Sequence, residues 1–354
     1  MSPRNTTGST APVVVVGLSS GVDSSVAAWI LQQQGYSVVG VTLALGEATG
    51  PESSSSCCSP FLMNKAKAIA DHLGIPHYAV DRIDEFQRQV VEYFVSEYGL
   101  GRTPNPCAKC NARVRFASLM DVARRLGAHL VATGHYAQLS GGAHRLTRGV
   151  DRLKDQSYVL AEVAPALLER CLFPVGGLAK TEVRRIANRI GVGDLVSEES
   201  QEICFVPKDD YRSFLRERLG ARSGDIVDEE GNVLGRHSGT YNFTVGQRKG
   251  LGHVCGGPLY VCRIEAESGR VVASDKGAAP ARVIRFEVSA IHGELPRGKV
   301  LVQFRSMGKP VNGRLDGPDA VILDEPARSV ANGQTLVVYD GDAVVLGGTI
   351  RSTE

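Results

Sequence analysis

Nowhere do these 354 residues offer an apolar stretch near the roughly 20 residues that a membrane-spanning helix needs. A helical membrane protein is therefore excluded. The short valine run after the polar first twelve residues ends in Gly17 and Ser19, too soon for a signal-peptide core. The chain accordingly reads as cytoplasmic, with no membrane partner. Charge is nearly balanced: 40 Lys and Arg against 38 Asp and Glu leave a formal +2, which permits a nucleic-acid partner without arguing for one. Cysteine is sparse as well. Eight cysteines in a chain of this length do not make the disulfide framework of a small secreted domain. In a reducing compartment, regularly spaced cysteines point to metal binding or catalysis, and isolated ones to packing. No internal repeat stands out, and Ser53–Ser56 is the single low-complexity patch.

What is present begins as alternating strands and helices. Val13–Gly17 is a continuous valine run, the pattern of a buried parallel strand. Val26–Gln34 reads as a helix closed by Gly35. Ser37–Leu45, His77–Asp81 and His129–Thr133 read as further strands, and Met63–Leu73, Asp84–Tyr98 and Ala112–Leu126 as helices. This βαβ alternation predicts an α/β fold with a doubly wound parallel sheet, its binding loops at the carboxyl ends of the strands. The stretch from Ala164 to Leu219 reads as largely helical, clearest over Lys180–Ile190. After Gly224 the character changes. Hairpin signals at Asp228–Asn232 and Glu267–Arg270 sit among short Val- and Ile-rich runs. The expected division is 1–215 for the nucleotide-binding and catalytic part, 216–277 for a small central β-rich domain, and 278–354 for a C-terminal β-barrel-like domain.

The strongest local signal is Gly17-Leu18-Ser19-Ser20-Gly21-Val22-Asp23-Ser24-Ser25, set between a buried strand and a helix. A Gly- and Ser-rich turn there presents successive backbone N–H groups at a helix start, a site for pyrophosphate. It lacks the Gly-Lys-Ser/Thr ending of a Walker loop, so γ-phosphate hydrolysis is not implied. The second signal is Thr103-Pro104-Asn105-Pro106-Cys107-Ala108-Lys109-Cys110-Asn111, two prolines stiffening the approach to a Cys-x-x-Cys that leads into a helix. A thiol near a helix start, with Lys109, Arg113 and Arg115 close by, is expected to hold more thiolate. A third cysteine, Cys204, lies in Ser200–Pro207. Cys57 and Cys58 read as a loop feature, and Cys171, Cys255 and Cys262 as packing.

The first loop resembles the SGGVDSS loop of the PP-loop ATP pyrophosphatases, which split ATP between its α and β phosphates and adenylate a substrate. Ser20 stands where that motif has its first glycine. Together with the TPNP loop, Ala132–Tyr136, Lys154–Tyr158, the SQEICF segment and Gly246–Gly252, the chain resembles the tRNA-specific 2-thiouridylase family. The likeness runs in order from about residue 13 to 262 and continues more weakly beyond.

The resemblance implies a PP-loop, HUP-like fold and ATP with Mg²⁺, Asp23 lying near the metal and the pyrophosphate. It extends the nucleotide contacts over Gly17–Ser24 to Leu43 and Gly134. Its activity is ATP-dependent 2-thiolation of the wobble uridine in the anticodon region of tRNA, through an adenylated intermediate. Cys110 matches the nucleophile, and Cys204 the carrier of a persulfide supplied by a cysteine desulfurase or sulfur-relay protein. Asn105, Pro106 and Cys107 match contacts to the flipped base. His135, Lys154, Asp155 and Gln156 match tRNA contacts, as do Arg305, Ser306 and Gln334 in the last domain, where the family commonly has Arg-Tyr in place of Arg305-Ser306. Basic clusters at Arg124-Arg125, Arg184-Arg185, Arg212–Arg222 and Arg248-Lys249 together suit a phosphate track.

Cys107 departs from the family, many of whose members have aspartate there. Losing that carboxylate removes an acid–base candidate and leaves two routes open. Cys107, Cys110 and Cys204 suit a 4Fe–4S cluster with one iron open to sulfide, or the two-cysteine persulfide route runs without a cluster. Structural zinc would want a fourth ligand. Among other functions, PP-loop amidation would need a glutaminase nucleophile that is not visible, and ligation does not call for three cysteines. Thiolation at another tRNA position stays open. So does a metal-binding RNA-binding protein without catalysis, although the intact Asp23 and Lys154–Gln156 argue against it.

Overall fold

The computed structural model describes residues 11–46, 60–140, 145–196, 203–206, 210–251 and 258–354. Cys57, Cys58 and Cys255, with Ser200 to Glu202 and Gly252, lie outside them.

The first part is the expected doubly wound sheet. β1 (Val13–Gly17) lies between β2 (Ser37–Ala44) and β4 (Leu130–Ala132), with β3 (His77–Asp81) beyond β2 and β7 (Cys171–Leu172) beyond β4. Every pairing in the sheet is parallel. Period-two alternation decides which residues face which layer. Val15 joins Phe116, Leu119 and Val131 in one core, while Val14 and Val16 join Val26, Leu31, Ile69 and Val183 in the other. Helices α1 (Val22–Gln33), α2 (Pro60–Leu73) and α7 (Lys180–Arg189) supply the second layer. Strand order reverses at β1, so the crevice between the carboxyl ends of β1 and β4 is where such sheets bind ligands.

Two long helices follow β3. α3 covers residues 83–99 through a π turn at Gln87–Val91, and α4 covers 106–125 through a π turn at Asn111–Arg115. The second helix starts at Pro106 rather than at the expected Ala112, because Asn105 caps it and proline is preorganised for the first helical position. α1 likewise begins four residues ahead of Val26, inside the loop motif. The supposedly helical stretch after Ala164 contains α6 (Pro165–Leu168) and the two-residue β7, too short to leave a pattern, before α7 and α8 (Tyr211–Leu219). α5 (Ser157–Leu160) precedes them.

The remainder is β-rich, as expected. β8 (Gly224–Val227), β9 (Val233–His237), β10 (Tyr260–Glu265) and β11 (Arg270–Ser274) form a sheet ordered β10-β11-β8-β9, and both hairpin signals fall at its turns. β12 (Ala281–Ile291), β13 (Lys299–Gln303), β14 (Val311–Leu315), β15 (Ala320–Ala327), β16 (Thr335–Asp340) and β17 (Ala343–Thr353) close into a barrel through the β12–β17 pairing. Closure leaves the barrel no open edge of its own. A hairpin absent from the sequence reading, β5 (Ala137–Ser140) and β6 (Arg145–Arg148), pairs Thr147 with Ala343 and so joins the first part to the barrel.

Candidate active site

The nucleotide loop is held by its own polar side chains and by β2. Leu18 donates its N–H to Val41 and accepts from the Thr42 hydroxyl, 2.8 and 2.7 Å. Ser24 Oγ accepts from Ser19 N–H and donates to the Gly21 carbonyl, 3.2 and 3.0 Å. Ser20, in place of glycine, is buried with φ +58°, the left-handed region that favours glycine. The loop therefore keeps the backbone path of the motif at a strain of order 1 kcal/mol. Gly134, at the end of β4, approaches so closely that a Cβ there would lie 2.5 Å from the backbone of Asp23 and Ser24. Leu43 lines the same sheet edge at the end of β2.

Asp23 is the centre of a polar cluster that sequence reading missed. Lys180 Nζ, on the first residue of α7, donates to both carboxylate oxygens at 2.7 and 2.8 Å. Tyr136 donates its hydroxyl to Asp23 Oδ1 at 2.6 Å. Lys180 is only 5% exposed, and its backbone N–H is fixed by Asp151. Its one sequence signal was polarity at a helix start, which solvated faces share. The loop's backbone donors, a magnesium-competent carboxylate and a buried ammonium fit a nucleoside triphosphate with its Mg²⁺.

Asn105, Pro106 and Cys110 are buried at the start of α4, whereas Cys107 is exposed. Asn105 Oδ1 accepts from Ala108 N–H at 3.1 Å, capping the helix. Cys110 belongs to an aromatic cluster with Phe86, Phe94 and Phe214, and Cys204 packs against that same cluster. Phe205 anchors the Cys204 segment there, its ring 5.3–5.7 Å from Phe94, Phe214 and Phe86. Leu43 and Leu45 contribute from the β2 end.

Lys109 corrects the expectation that it raises thiolate content. Its Nζ is buried in an ion pair with Glu162 and donates to Thr349 Oγ1 at 2.8 Å, so the charge is matched away from the thiols. Among the described residues, no three Cys, His, Asp or Glu side chains gather as metal ligands.

The residues matched to tRNA contacts fall into two linked groups. Asp155 accepts from Gly149 N–H, Ser157 N–H and Ser157 Oγ, each at 3.0 Å, and Gln156 Oε1 accepts from Tyr136 N–H at 3.0 Å. These side chains brace the loop carrying Lys154 against Tyr136. Ser157 Oγ lies 3.2 Å from Tyr339 Oη, and Tyr339 donates to Gln303, whose amide donates to the carbonyls of Arg305 and Ser306 at 3.0 Å. These contacts bring the 154–156 loop close to the 305–306 turn. Gln334 immediately precedes β16 and lies two residues after Asn332, whose carbonyl accepts from Thr103 N–H at 2.8 Å. His135 packs against Phe116 and Phe173, its Nδ1 2.7 Å from Thr133 Oγ1. Burial, then the Arg115 charge, pushes its pKa down to about 3, so the ring is neutral.

The organisation matches known families along its length. Residues 12–208 match the tRNA methyl transferase HUP domain, 212–275 the tRNA methyl transferase PRC-barrel domain, and 284–350 the aminomethyltransferase beta-barrel domain. The tRNA-specific 2-thiouridylase MnmA of Heliobacterium modesticaldum is 43% identical over 354 residues, spanning 95% of this chain and 92% of that protein. The enzyme of the same name from Carboxydothermus hydrogenoformans is 42% identical, spanning 96% and 97%. That of Geobacter metallireducens is 43% identical, spanning 95% and 96%. Among the described residues no helix is long and apolar enough to cross a membrane.

Proposed function

The chain belongs to the tRNA-specific 2-thiouridylase family, and from that premise we propose that it adenylates the C2 oxygen of a wobble uridine and replaces it with sulfur. It is a tRNA-thiolating transferase of the PP-loop class. The loop amides of Gly17–Ser24 cradle the phosphate chain, with Leu43 and Gly134 shaping the pocket around the nucleotide. Asp23 would hold Mg²⁺, which would neutralise phosphate charge. The buried Lys180 ammonium beside Asp23 would meet the phosphates.

The uridine oxygen attacks the α-phosphorus, the bond to the β-phosphate oxygen breaks, and pyrophosphate leaves as the N3 proton is lost. Cys204 carries a persulfide received from a cysteine desulfurase or sulfur-relay protein. Its terminal sulfur attacks C2, and AMP departs with the original oxygen. Cys110 thiolate then attacks the Cys204 sulfur, forming a disulfide and leaving sulfur on C2, which regains its N3 proton. A thiol reductant resets the pair. In the alternative order, Cys110 attacks first and releases hydrosulfide as the nucleophile. Cys107 meets the extruded base at the mouth of the site, next to Asn105 and Pro106. His135, Lys154–Gln156, Arg305-Ser306 and Gln334 lie along the tRNA path.

One observation carries this reading: Cys110 and Cys204 share a single aromatic cluster, which rests on Leu43 and Leu45, at the sheet edge that bears the nucleotide loop. The test is thiolation of unmodified tRNA from ATP and a persulfide donor. Cys110→Ala and Cys204→Ala should each abolish product while ATP and tRNA binding stay nearly intact. Full activity in either variant would sink the two-cysteine route. An iron and acid-labile sulfide assay on protein purified without oxygen decides the cluster. Iron lost in Cys107→Ala would overturn the cluster-free chemistry.

A further inference from the structure

A cavity of about 350 Å³ opens between α8 and the strand end at His237, apart from the nucleotide loop. Arg212, Ser213 and Arg216 line it from α8, and Arg236, Ser238 and Asn242 from β9 and the turn after it. Arg212 and Arg216 are four residues apart and so share one helical face. Among the described residues neither forms an ion pair with a carboxylate. Asp210 lies near Arg212, but its carboxylate caps α8 through Ser213 N–H at 3.1 Å. Arg236 meets Asp225 at 3.4 Å in a pair that is 77% and 42% exposed, weak enough to yield to a better anion.

Elsewhere the described lining carries no charged side chain, and Phe243 is its one large apolar member. His237 accepts from Gly239 N–H at 3.1 Å and has its other ring nitrogen 3.0 Å from the Gly269 carbonyl, which leaves it a neutral imidazole. Tyr241 donates to the Gly220 carbonyl at 2.9 Å. Three guanidinium groups on one cavity repel each other without a matching anion, and the guanidinium fork suits phosphate oxygens.

Position indicates which phosphate. Thr244, two residues beyond Asn242, accepts from the Thr103 hydroxyl at 3.1 Å, and Thr103 lies two residues ahead of Asn105. The same segment therefore borders both the cavity and the loop that carries Cys107 and Cys110. Hydroxyl and amide groups on the lining suit sugar contacts. Its aromatic members Tyr241 and Phe243 are buried, so the cavity lacks the exposed apolar centre that a protein partner would need.

We infer that this cavity is an RNA-backbone site: Arg212, Arg216 and Arg236 grip phosphodiester groups next to the nucleotide that is thiolated. The inference rests on the tRNA-thiolation reading and adds where the substrate's backbone is held.

The test is filter binding of unmodified tRNA to the full chain between about 50 and 200 mM salt. Each phosphate contact contributes about 0.7–0.9 to the slope of log K against log salt, so Arg212→Gln/Arg216→Gln should flatten the slope by roughly 1.5 and raise Kd tenfold or more. Arg212→Lys/Arg216→Lys should keep most of the slope. Both variants carry surface changes, and an unaltered unfolding midpoint checks the fold. An unchanged slope in the glutamine variant overturns the inference, as does weaker binding at an unchanged slope. Calorimetry with inorganic phosphate separates the sources. Phosphate binding lost in the variant while its tRNA slope persists makes this a small-anion site and also overturns the inference, as would lost binding to an acidic protein with the tRNA slope intact. Wild-type protein that neither binds nor thiolates tRNA would instead sink the functional reading itself.

Discussion

Replacing Glu162 with leucine should be among the most damaging single changes in this chain, although Glu162 touches no reacting atom. Its side chain is 1% exposed and faces Lys109, 6% exposed, on the helix that carries Cys107 and Cys110. Three barrel residues complete the node: Ser289 and Thr335 donate to Glu162 at 2.9 and 2.8 Å, and Thr349 accepts from Lys109 at 2.8 Å. Glu162→Leu leaves an ammonium buried with neither counter-charge nor room for water, a cost of about 3–5 kcal/mol. Set against a typical stability of about 5–15 kcal/mol, that threatens the fold. Lys109→Met strands a buried carboxylate and should cost a similar amount. The pair Lys109→Met with Glu162→Leu removes both charges. It should then lose only what the three hydroxyls forfeit, about 1 kcal/mol each. Denaturant unfolding of wild type, both single variants and the double gives the coupling directly. The prediction is a double variant more stable than either single one. Additive losses would refute the picture of a matched buried pair. Alkylation of Cys110 supplies a second reading: because Lys109 is neutralised by Glu162, the double variant, which changes no net charge, should leave the thiol's pH profile unchanged.

Further expectations follow from the Asp23 cluster and the sheet edge. Lys180→Met should lower ATP-dependent pyrophosphate release by roughly 10²–10³, the usual loss when one charge-stabilising donor is removed, with little change in tRNA affinity; activity near wild type would remove Lys180 from the site. Gly134→Ala forces a methyl against the Asp23 backbone at 2.5 Å and should cost about 1–3 kcal/mol and most nucleotide binding, read by unfolding and by ATP titration. His135, held near pKa 3 in the fold against the ordinary 6.5 of an exposed imidazole, binds its proton only when the chain unfolds across the window between these values. Stability should therefore fall as pH drops through that range, and His135→Asn should recover on the order of 1 kcal/mol at pH 5 relative to pH 7. Equal acid sensitivity in wild type and variant would contradict it.

Local chemistry explains what could be read in advance. The valine run of β1 and the Gly-Ser loop after it act over a few consecutive residues, so both the sheet and the nucleotide loop were legible. Ser20 stands at the motif's glycine position and takes the left-handed φ, +58°, that glycine there would adopt without strain. Site features made by distant residues were not legible. Lys180 reaches Asp23 across 157 positions, and nothing in the composition of α7 distinguishes that lysine from the exposed arginines Arg184, Arg185 and Arg189 around it. Lys109 shows the reverse error. Proximity in sequence suggested a charge acting on its neighbouring cysteines, but a helix turns successive residues to different faces. Cys110 turns into the aromatic cluster, whereas Lys109 turns toward the barrel. The same geometry ties the C-terminal barrel to the helix that carries Cys107 and Cys110. Glu162 needs Ser289 and Thr335 from β12 and β16, and Thr103 needs Asn332, so the loop bearing the cysteines is complete only when a domain more than 150 residues away has closed. A chain truncated before β12 should therefore keep its sheet and nucleotide loop but lose the fixed start of α4. Hydrogen exchange at Ala108 and Lys109 N–H, fast in the truncated chain and protected in the whole one, would separate this dependence from a barrel that serves only to bind RNA.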